Sequence, residues 1–502
     1  MPQPWEIENF LEVKNGQLHI DGVSAVDLAK EHGTPLFVFS EKRIRHNIER
    51  LKRAESVIDC PLKICYAAKA MSTMAILRAV KDAGGDIEVN SGGELWKALE
   101  IGFHGDQIIF NGTSKEIWEL ESAIDAGIYA IQVDSILELS LIEETARRLN
   151  KRANVSLRLV PEIESNTHSG LQTALLTSKF GMMPDEALAA FREFRESPHL
   201  NLSGIHLHIG SQNPSAAGYA EAMQILFHNL LEINNQTAIK LSHINLGGGF
   251  PVNYLRDTSL ESMIRQEERE MLSADFEPVE ALKNAWGVIK RSAVAANATE
   301  LIQNITLLLE PGRSIIADAG ICLTSVRNIK NRPLSEINKE LNEHNAAHRE
   351  YEGGQAGFGI TSIQRSFVDK SIDKETWLLM DAGFNLLLSM ATYNWYYHLI
   401  SAERPGEEHS YPYKLAGPLC DGGDVYFDIE GQSRLPEHRP LPSNVKLGEV
   451  LALLNCGAYS LAQASQYNAR FLPPVVLIRE SGEPELVRKR DTFADLTTNE
   501  IY

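Results

Sequence analysis

Short apolar runs alternate with longer amphipathic stretches over most of the first 310 residues. Runs of apolar or β-branched residues predict buried strands, and apolar residues three and four positions apart predict helices. The predicted strands are 36–39, 63–66, 86–89, 107–110, 130–133, 155–159, 204–208, 243–246 and 306–309. The predicted helices between them include 41–54, 71–83, 93–101 and 115–126.

This alternation predicts an α/β fold with a (β/α)8 barrel of the TIM type over residues 36–312; a doubly wound open sheet is the alternative. After residue 313 the pattern changes to separate strand-like runs, at 376–380, 425–427, 450–454 and 475–478. We therefore expect a β-rich domain, of sandwich or barrel type, over residues 313–502. A polar stretch at about 331–365 is predicted to be an inserted excursion of that domain.

The formal net charge of the 502 residues is −19, from 48 basic and 67 acidic side chains. Such an acidic surface opposes nucleic-acid binding and mildly favours cationic small molecules, although solubility alone is the simpler reason for it. Because the chain has no basic leader and no apolar run near ~20 residues, we expect no membrane segment and a cytoplasmic location. The five cysteines are scattered without CxxC spacing, so we expect neither disulfides nor a metal site.

Lys69 ends an apolar, strand-like run, and in a barrel the residues just after the strands line the active face. Apolar neighbours would lower the pKa of its ammonium group, as an amine that must form an imine requires. An ordinary surface lysine is the alternative.

His206 and His208 lie two positions apart on a predicted strand and therefore share one face. One of the rings could stack on a cofactor, whereas a structural core histidine is the alternative, mainly for His206. The turn Gly247-Gly-Gly249 follows another predicted strand, and its N–H groups can converge on an oxyanion without obstruction by Cβ atoms. A plain tight turn is the alternative here, because the dinucleotide-binding spacing is absent.

Glu310 and Arg313 also follow a predicted strand. A carboxylate beside a pyridine nitrogen keeps that nitrogen protonated, and a guanidinium binds phosphate or carboxylate; a surface ion pair is the alternative. Cys420 lies in a glycine-rich turn with Asp421 and Asp424, which indicates an exposed thiol. Together, the amine, imidazoles, glycine turn, Glu/Arg pair and thiol indicate an enzyme whose cofactor is pyridoxal 5′-phosphate (PLP).

In this order and spacing the motifs resemble those of the fold type III (alanine-racemase-fold) PLP-dependent decarboxylases of basic amino acids. This family includes diaminopimelate, ornithine, lysine and arginine decarboxylases. The resemblance extends from about Leu36 to Phe471. It implies a (β/α)8 barrel, a β-domain with which the N-terminal segment 1–35 packs, and a homodimer whose active sites are completed across the interface.

The resemblance also implies roles for individual residues. Lys69 is expected to form the Schiff base, His208 to stack on the cofactor ring, and Glu310 to contact the pyridine nitrogen. Cys420 of the partner subunit is expected to protonate the carbon from which CO₂ departs, and Asp421 to bind the distal ammonium of the substrate. The residues expected around the phosphate are Ser211, Gly247, Gly248, Gly249, Gly312, Arg313 and Tyr459.

The positions expected to contact the substrate include Arg313, Ser389 and Tyr393, and one of them departs from the diaminopimelate branch. Ser389 stands where that branch has the arginine that binds the distal carboxylate of the substrate. Asp421 replaces the glutamate of that branch, and Glu88 replaces the usual aspartate of the family. A buried carboxylate without a guanidinium partner is unfavourable by several kcal/mol, which argues against diaminopimelate as substrate.

These departures, and the run from Gly417 to Asp424, resemble the D-ornithine/D-lysine decarboxylases. The expected reaction is therefore the decarboxylation of D-lysine or D-ornithine to cadaverine or putrescine and CO₂. If Arg349 or Arg365 of the excursion replaced the missing arginine, meso-diaminopimelate or a carboxylated siderophore precursor would return as substrate. A non-catalytic homologue that binds a partner is an alternative of a different class, and a racemase is a third possibility.

Overall fold

The computed structural model describes residues 3–160, 178–256, 264–337, 339, 372–429 and 434–501. The chain divides into two compact units. The β-rich unit comprises Met1–Ser40, Tyr254–Glu270 and Gly320–Tyr502, and the barrel unit comprises Glu41–Asn253 and Met271–Ala319. No helix within the described ranges is long and apolar enough to cross a lipid bilayer.

The strands, in chain order, are β1 (Leu11–Lys14), β2 (Gln17–Ile20), β3 (Val23–Ser24), β4 (Leu36–Ser40), β5 (Leu62–Ala67), β6 (Asp86–Val89), β7 (Ile108–Phe110), β8 (Ala130–Val133), β9 (Ala153–Arg158), β10 (Leu200–His206), β11 (His243–Asn245), β12 (Thr306–Leu309), β13 (Gly320–Pro333), β14 (Lys374–Met380), β15 (Leu399–Ser401), β16 (Tyr411–Ala416), β17 (Arg439–Leu441), β18 (Val450–Leu453), β19 (Val475–Ile478) and β20 (Pro484–Arg488).

The α-helices, in chain order, are α1 (Ala25–His32), α2 (Glu41–Lys52), α3 (Met74–Asp82), α4 (Gly92–Ile101), α5 (Ile117–Asp125), α6 (Ile136–Arg148), α7 (Pro184–Phe194), α8 (Ala217–Thr237), α9 (Gln266–Leu272), α10 (Pro278–Ala295), α11 (Arg313–Ile316), α12 (Leu388–Tyr393) and α13 (Phe493–Thr497).

The barrel unit contains eight parallel strands, β5 to β12, that close into a ring. Each strand pairs with its successor in the chain, and β12 pairs with β5, so the expected (β/α)8 barrel is confirmed. Strands β7 and β8 are buried along their whole length, because a parallel sheet of this kind is covered on both faces. The carboxyl ends of all eight strands therefore meet at one rim, where active sites of such barrels lie.

Two turns at this rim are built in the same way. Ser91 after β6 and Ser135 after β8 each have extended backbone, and each side chain accepts a hydrogen bond from the N–H group three residues later. These serines satisfy an N–H group that the first turn of a helix leaves without an intrahelical partner. The sequence thus fixes where α4 and α6 begin.

The β-rich unit contains a nine-stranded sheet and a smaller sheet of β1, β2 and β3. In the large sheet β4 lies between β13, to which it is antiparallel, and β19, to which it is parallel. Apolar residues of the N-terminal segment, such as Trp5, Leu18 and Leu28, pack in one core with residues of β4, β13, β18 and β19. The β-rich domain expected after the barrel is confirmed.

Two predicted strands differ from the structure. The run 36–39, placed in the barrel from the sequence, pairs instead in the large sheet of the β-rich unit, because an apolar run does not specify its partner. The run 425–427 forms only an isolated bridge, between Val425 and Ala416. The carbonyl oxygen of Tyr426 accepts a hydrogen bond from the side chain of Arg439, the first residue of β17. Most of the excursion at 331–365 lies outside the described residues.

Asp381, directly after β14, connects several parts of the β-rich unit. Its Oδ1 accepts from Thr324 Oγ1 at 2.7 Å and from Ser325 N at 3.0 Å. Its Oδ2 accepts from Thr34 Oγ1 at 2.6 Å and from Arg327 Nε at 2.9 Å. A largely buried carboxylate with this many donors holds three segments together, and its removal would leave several polar groups without partners.

Asp381→Ala should therefore lower the free energy of unfolding by about 3 kcal/mol, the scale for leaving buried hydrogen-bond donors without their acceptor. The measurement is the urea midpoint of the purified protein. Asp27→Ala is the matched control, because this carboxylate is exposed and its ion pair with Lys30 is on the surface. Equal midpoints for the two variants would contradict the structural role of Asp381.

Candidate active site

Lys69 lies at the carboxyl rim of the barrel, in a single 3-10 turn, Ala68–Ala70, that follows β5. Ala68 and Ala70 are buried, as the apolar sequence suggested, but the side chain of Lys69 is exposed. Its positive charge acts on the buried carboxyls of Glu88 and Glu310. The structure thus places the predicted amine beside two carboxyls.

Glu88, in β6, is fully buried. Its Oε1 accepts a hydrogen bond from Asn111 Nδ2 at 2.8 Å, and Oε2 has no hydrogen-bond partner among the described residues. Burial raises the pKa of Glu88 to about 7, although the charge of Lys69 acts in the opposite direction. Near neutral pH this side chain can therefore hold or release a proton.

Glu310, directly after β12, is also buried but lies beside hydrogen-bonding groups and within reach of the positive charge of Lys69. Asn245 Nδ2 donates to its Oε1 at 2.7 Å, and His206 Nε2 lies 3.5 Å from its Oε2. Burial alone would raise the pKa of Glu310, but His206, Lys69 and His208 together hold this pKa well below its usual value. Glu310 is therefore ionised at neutral pH.

The three glycines after β11 are required by close backbone contacts. A Cβ atom on Gly248 would lie 2.3 Å from the carbonyl oxygen of Glu310, and one on Gly249 would lie 2.4 Å from that of Gly210. Gly247 and Gly249 also have positive φ angles, 67° and 91°. The turn joins the ends of neighbouring strands so tightly that no side chain fits.

His208 lies beside this turn, two residues after β10. Gly248 N donates a hydrogen bond to Nδ1 of His208 at 3.4 Å. Because Nδ1 is the acceptor, the proton of the neutral ring is on Nε2. Burial, followed by the charges of Lys69 and Arg158, lowers the pKa of His208 well below its usual value. The ring of His208 is therefore neutral. His206, two residues earlier, is fully buried next to Glu310, so the alternative of a structural histidine suits His206 better.

Arg313 begins α11, directly after Gly312, and is buried. Its Nε donates to Ser211 Oγ at 3.2 Å. The structure therefore brings two residues together that lie about a hundred positions apart in the chain. Both belong to the set that the sequence predicts around a phosphate.

Arg158 is a residue of the barrel that the sequence reasoning missed. It ends β9, is buried, and its guanidinium carbon lies 4.3 Å from the ring centre of Phe180. Its charge acts on the pKa of His208. The available signal was an arginine at the carboxyl end of a buried barrel strand, where a charged residue has no structural purpose in the core.

Cys420 and Asp421 lie in the β-rich unit, and both side chains are exposed. The loop between β16 and residue 424 that carries them is held at its base by Asp424. The carboxylate of Asp424 accepts from Leu419 N and Phe384 N, both at 2.8 Å. The thiol is thus presented on a loop whose ends are fixed.

Three further predicted residues lie in the β-rich unit. Ser389 is in α12 and is buried, and Tyr393 ends that helix. Tyr459 follows β18 and has a positive φ angle of 57°. Their predicted roles toward the phosphate and the substrate stay predictions.

The sequence of this chain matches a known family over more than half of its length. The model of the family "Pyridoxal-dependent decarboxylase, pyridoxal binding domain" matches residues 44–317. The diaminopimelate decarboxylase of Methanocaldococcus jannaschii is 31% identical over 497 residues, which are 98% of this chain and 96% of the relative. The diaminopimelate decarboxylase of Bacillus subtilis is 31% identical over 487 residues, 96% of this chain and 95% of the relative.

The comparison with solved structures also finds a diaminopimelate decarboxylase. The diaminopimelate decarboxylase of M. jannaschii in co-complex with L-lysine superposes with a TM-score of 0.78 at 30% identity, over 100% of this chain and 99% of that one. The structure described as SrLDC in complex with PLP and cadaverine is 22% identical, with a TM-score of 0.64 over 90% of this chain and 92% of that one, and shows the fold alone.

The fold and the site define a PLP-dependent carboxy-lyase. The chain belongs to the pyridoxal-dependent decarboxylases of fold type III, and the predicted enzyme class and cofactor are confirmed. One finer expectation needs correction. The relatives found are diaminopimelate decarboxylases rather than D-ornithine/D-lysine decarboxylases. The sequence prediction relied on a few positions expected to contact the substrate, whereas similarity over the full length depends on every position.

The residues at the barrel rim suit this cofactor. An ionised carboxylate, a neutral imidazole and an amine follow strands β12, β10 and β5 at one rim, and the glycine turn after β11 leaves room for the backbone alone. A pyridine ring, a phosphate and an aldehyde need these groups. The arrangement therefore fits PLP without any change of side chain.

Lys69 should carry the cofactor covalently after borohydride reduction. Peptide mapping by mass spectrometry is expected to find the added mass on the peptide that contains Lys69, since an imine reduces to a stable amine at that residue. Lys69→Ala should abolish this label, and Lys283→Ala, which changes an exposed lysine of α10, should retain it. A label on another peptide of the unaltered protein would contradict the assignment.

Glu88 should make the stability of the cofactor-free protein depend on pH. Because its pKa is 4.5 ordinarily and about 7 when folded, the folded state binds the additional proton between these values. The free energy of unfolding should therefore fall as pH rises through this window, by about 3 kcal/mol for this group. In thermal unfolding, Glu88→Gln should remove this contribution to the dependence of stability on pH, whereas Glu144→Gln, at an exposed site, should retain it. The same pH dependence in the unaltered protein and both variants would refute the assignment.

Proposed function

We propose that this decarboxylase removes the carboxylate from the D-configured centre of a diamino acid, with meso-diaminopimelate as the first candidate substrate. The observation that carries the proposal is the full-length relationship, 31% identity over 98% of the chain, to a diaminopimelate decarboxylase. The related enzyme of known structure binds L-lysine. L-Lysine is what remains when CO₂ leaves the D-configured centre of meso-diaminopimelate.

Glu310 would bind the protonated pyridine nitrogen. When bound, PLP supplies the electron sink that accepts the electrons left behind by CO₂. Asn245, His206 and the positive charge of Lys69 keep Glu310 ionised, so it can retain a proton on the nitrogen facing it. His208, neutral and beside the glycine turn, would contact the face of the ring.

Lys69 would hold the cofactor and Glu88 would exchange protons beside it. A carboxyl whose pKa is raised to about 7 by burial is suited to proton transfer at neutral pH. Arg313, Ser211 and the turn Gly247-Gly-Gly249 would bind the phosphate, since a guanidinium and converging N–H groups are its usual partners.

Cys420 would deliver a proton to the carbon that loses CO₂. Its thiol is exposed rather than buried, which suits a group that enters the barrel of a second copy of the chain. The proposal therefore includes a homodimer. Asp421, the next residue and also exposed, would bind the distal ammonium of the substrate.

D-Lysine or D-ornithine is the second candidate substrate, and one observation favours it. Ser389 is buried in α12 where the diaminopimelate branch carries its carboxylate-binding arginine. A serine hydroxyl cannot form the bidentate ion pair that a distal carboxylate requires. Arg349 and Arg365, which could substitute for that arginine, lie outside the described residues.

A substrate panel separates the two candidates. We expect a kcat/KM for meso-diaminopimelate at least about tenfold above those for D-lysine and D-ornithine, because one charge-assisted hydrogen bond contributes about 1.5–3 kcal/mol. The measurement is CO₂ release under matched conditions, with L-lysine and L-ornithine as stereochemical controls. A preference for D-lysine or D-ornithine would overturn the first candidate in favour of the second, and activity on the L-forms alone would overturn both.

A further inference from the structure

The loop that carries Cys420 is held by a second segment of the β-rich unit, residues 466–470. Asn468 Oδ1 accepts a hydrogen bond from Cys420 N at 2.7 Å. Tyr467 Oη donates to Asp421 Oδ2 at 3.2 Å, and Arg470 Nη2 donates to the carbonyl oxygen of Pro418 at 2.8 Å. Residues 466–470 therefore hold the loop at three positions, Pro418, Cys420 and Asp421.

Asn468 has the shortest of these contacts and an unusual backbone. Its φ angle is 55°, and that of Ala469 is 54°. An L-residue in this left-handed region is strained, and asparagine tolerates the conformation better than alanine does. Alanine rarely adopts this conformation, so the turn at residues 468 and 469 persists because the surrounding structure holds it.

The neighbouring Tyr467 is held in place and acts on the same loop. Its ring stacks on Phe384, with ring centres 5.9 Å apart and an interplanar angle of 20°. The backbone N–H of Phe384 in turn binds Asp424, at the base of the loop. The hydrogen bond to Asp421 raises the pKa of Tyr467, so its hydroxyl remains a donor.

We infer that Asn468 is a positioning residue that fixes the exposed thiol of Cys420 for proton delivery, with Tyr467 orienting the adjacent carboxylate of Asp421. The inference rests on the proposed role of Cys420. Asn468 touches no reacting atom in this assignment, since it binds the backbone N–H of the cysteine and not its thiol. It determines where the thiol lies because its hydrogen bond is to the backbone N–H of Cys420 itself, whereas the carboxylate of Asp424 holds the loop at Leu419 N.

The chemistry gives a readout specific to position. When the bond to CO₂ breaks, its electron pair would be shared between the α carbon and the bound PLP, and one proton delivered to the α carbon would give the amine. A proton delivered to the aldehyde carbon of the cofactor instead gives, after hydrolysis by one water, an aldehyde product and leaves the nitrogen on the cofactor. The aldehyde-to-amine ratio therefore reports on the placement of the donor rather than on overall stability.

Asn468→Gly removes the side-chain acceptor and keeps the left-handed backbone, which glycine favours. With the best substrate of the panel, this variant should raise the aldehyde-to-amine ratio about tenfold, because the loss of one hydrogen bond corresponds to about that factor. Cys420→Ala should change the ratio in the same direction. Asn468→Asp keeps an acceptor and should stay within about twofold of the unaltered enzyme. Asn468→Ser, with a shorter side chain, is a second test of the same loss.

Asn444→Gly is the matched control, because Asn444 is exposed, has a φ angle of 59° and lies in the same unit away from this loop. It should leave the product ratio unchanged. Amide hydrogen exchange of the peptide that covers residues 417–424 should become faster in Asn468→Gly and not in Asn444→Gly.

Two negative results have different meanings. If Cys420→Ala raises the aldehyde-to-amine ratio while Asn468→Gly and Asn468→Ser do not, the positioning role of Asn468 is overturned and the proposed function stands. If Cys420→Ala itself leaves the ratio unchanged, Cys420 is not the proton donor, and both the inference and that part of the proposed function are overturned.

Discussion

The closure of eight parallel strands into a ring is the constraint on which the candidate site depends. Because β12 pairs with β5, residues that are far apart in the chain meet at one rim. The turn Gly247-Gly-Gly249 shows how tight this closure is, since a Cβ atom on Gly248 would lie 2.3 Å from the carbonyl oxygen of Glu310. The glycines are thus a packing requirement of the barrel as much as a feature of a phosphate site.

The same closure gives two buried carboxyls opposite protonation behaviour. Glu88 has a single amide donor, from Asn111, and burial raises its pKa to about 7. Glu310 has Asn245 as donor, His206 beside it and the positive charge of Lys69 nearby, so its pKa is lowered. Burial acts in the same direction on both side chains, and the neighbours decide the outcome. A site with one ionised carboxylate and one that exchanges protons near neutrality suits the chemistry of a PLP-dependent decarboxylase.

In the β-rich unit, hydrogen bonds from side chains to loop backbone have a comparable importance. Asp424 holds both ends of the loop that carries Cys420, and Asn468 holds its centre. An exposed reactive group gains a defined position only through such contacts, because no core packs around it. The strained backbone of Asn468 and Ala469 is consistent with a turn that serves this loop rather than its own stability.

The sequence by itself determined the alternation of strands and helices, the barrel, the β-rich unit and the positions of Lys69, Glu310 and the glycine turn, because local apolar patterns and turn residues specify these features. Only the tertiary structure decided that β4 pairs with β13 and β19, since an apolar run carries no information about its partner. The contacts of Arg158, Asn111 and Asn468 were not predicted for a related reason: the partner of a single arginine or asparagine cannot be inferred from its neighbours in the sequence. Their contacts to Phe180, Glu88 and Cys420 arise between residues separated by 20 or more positions, and such proximity exists only once the chain has folded.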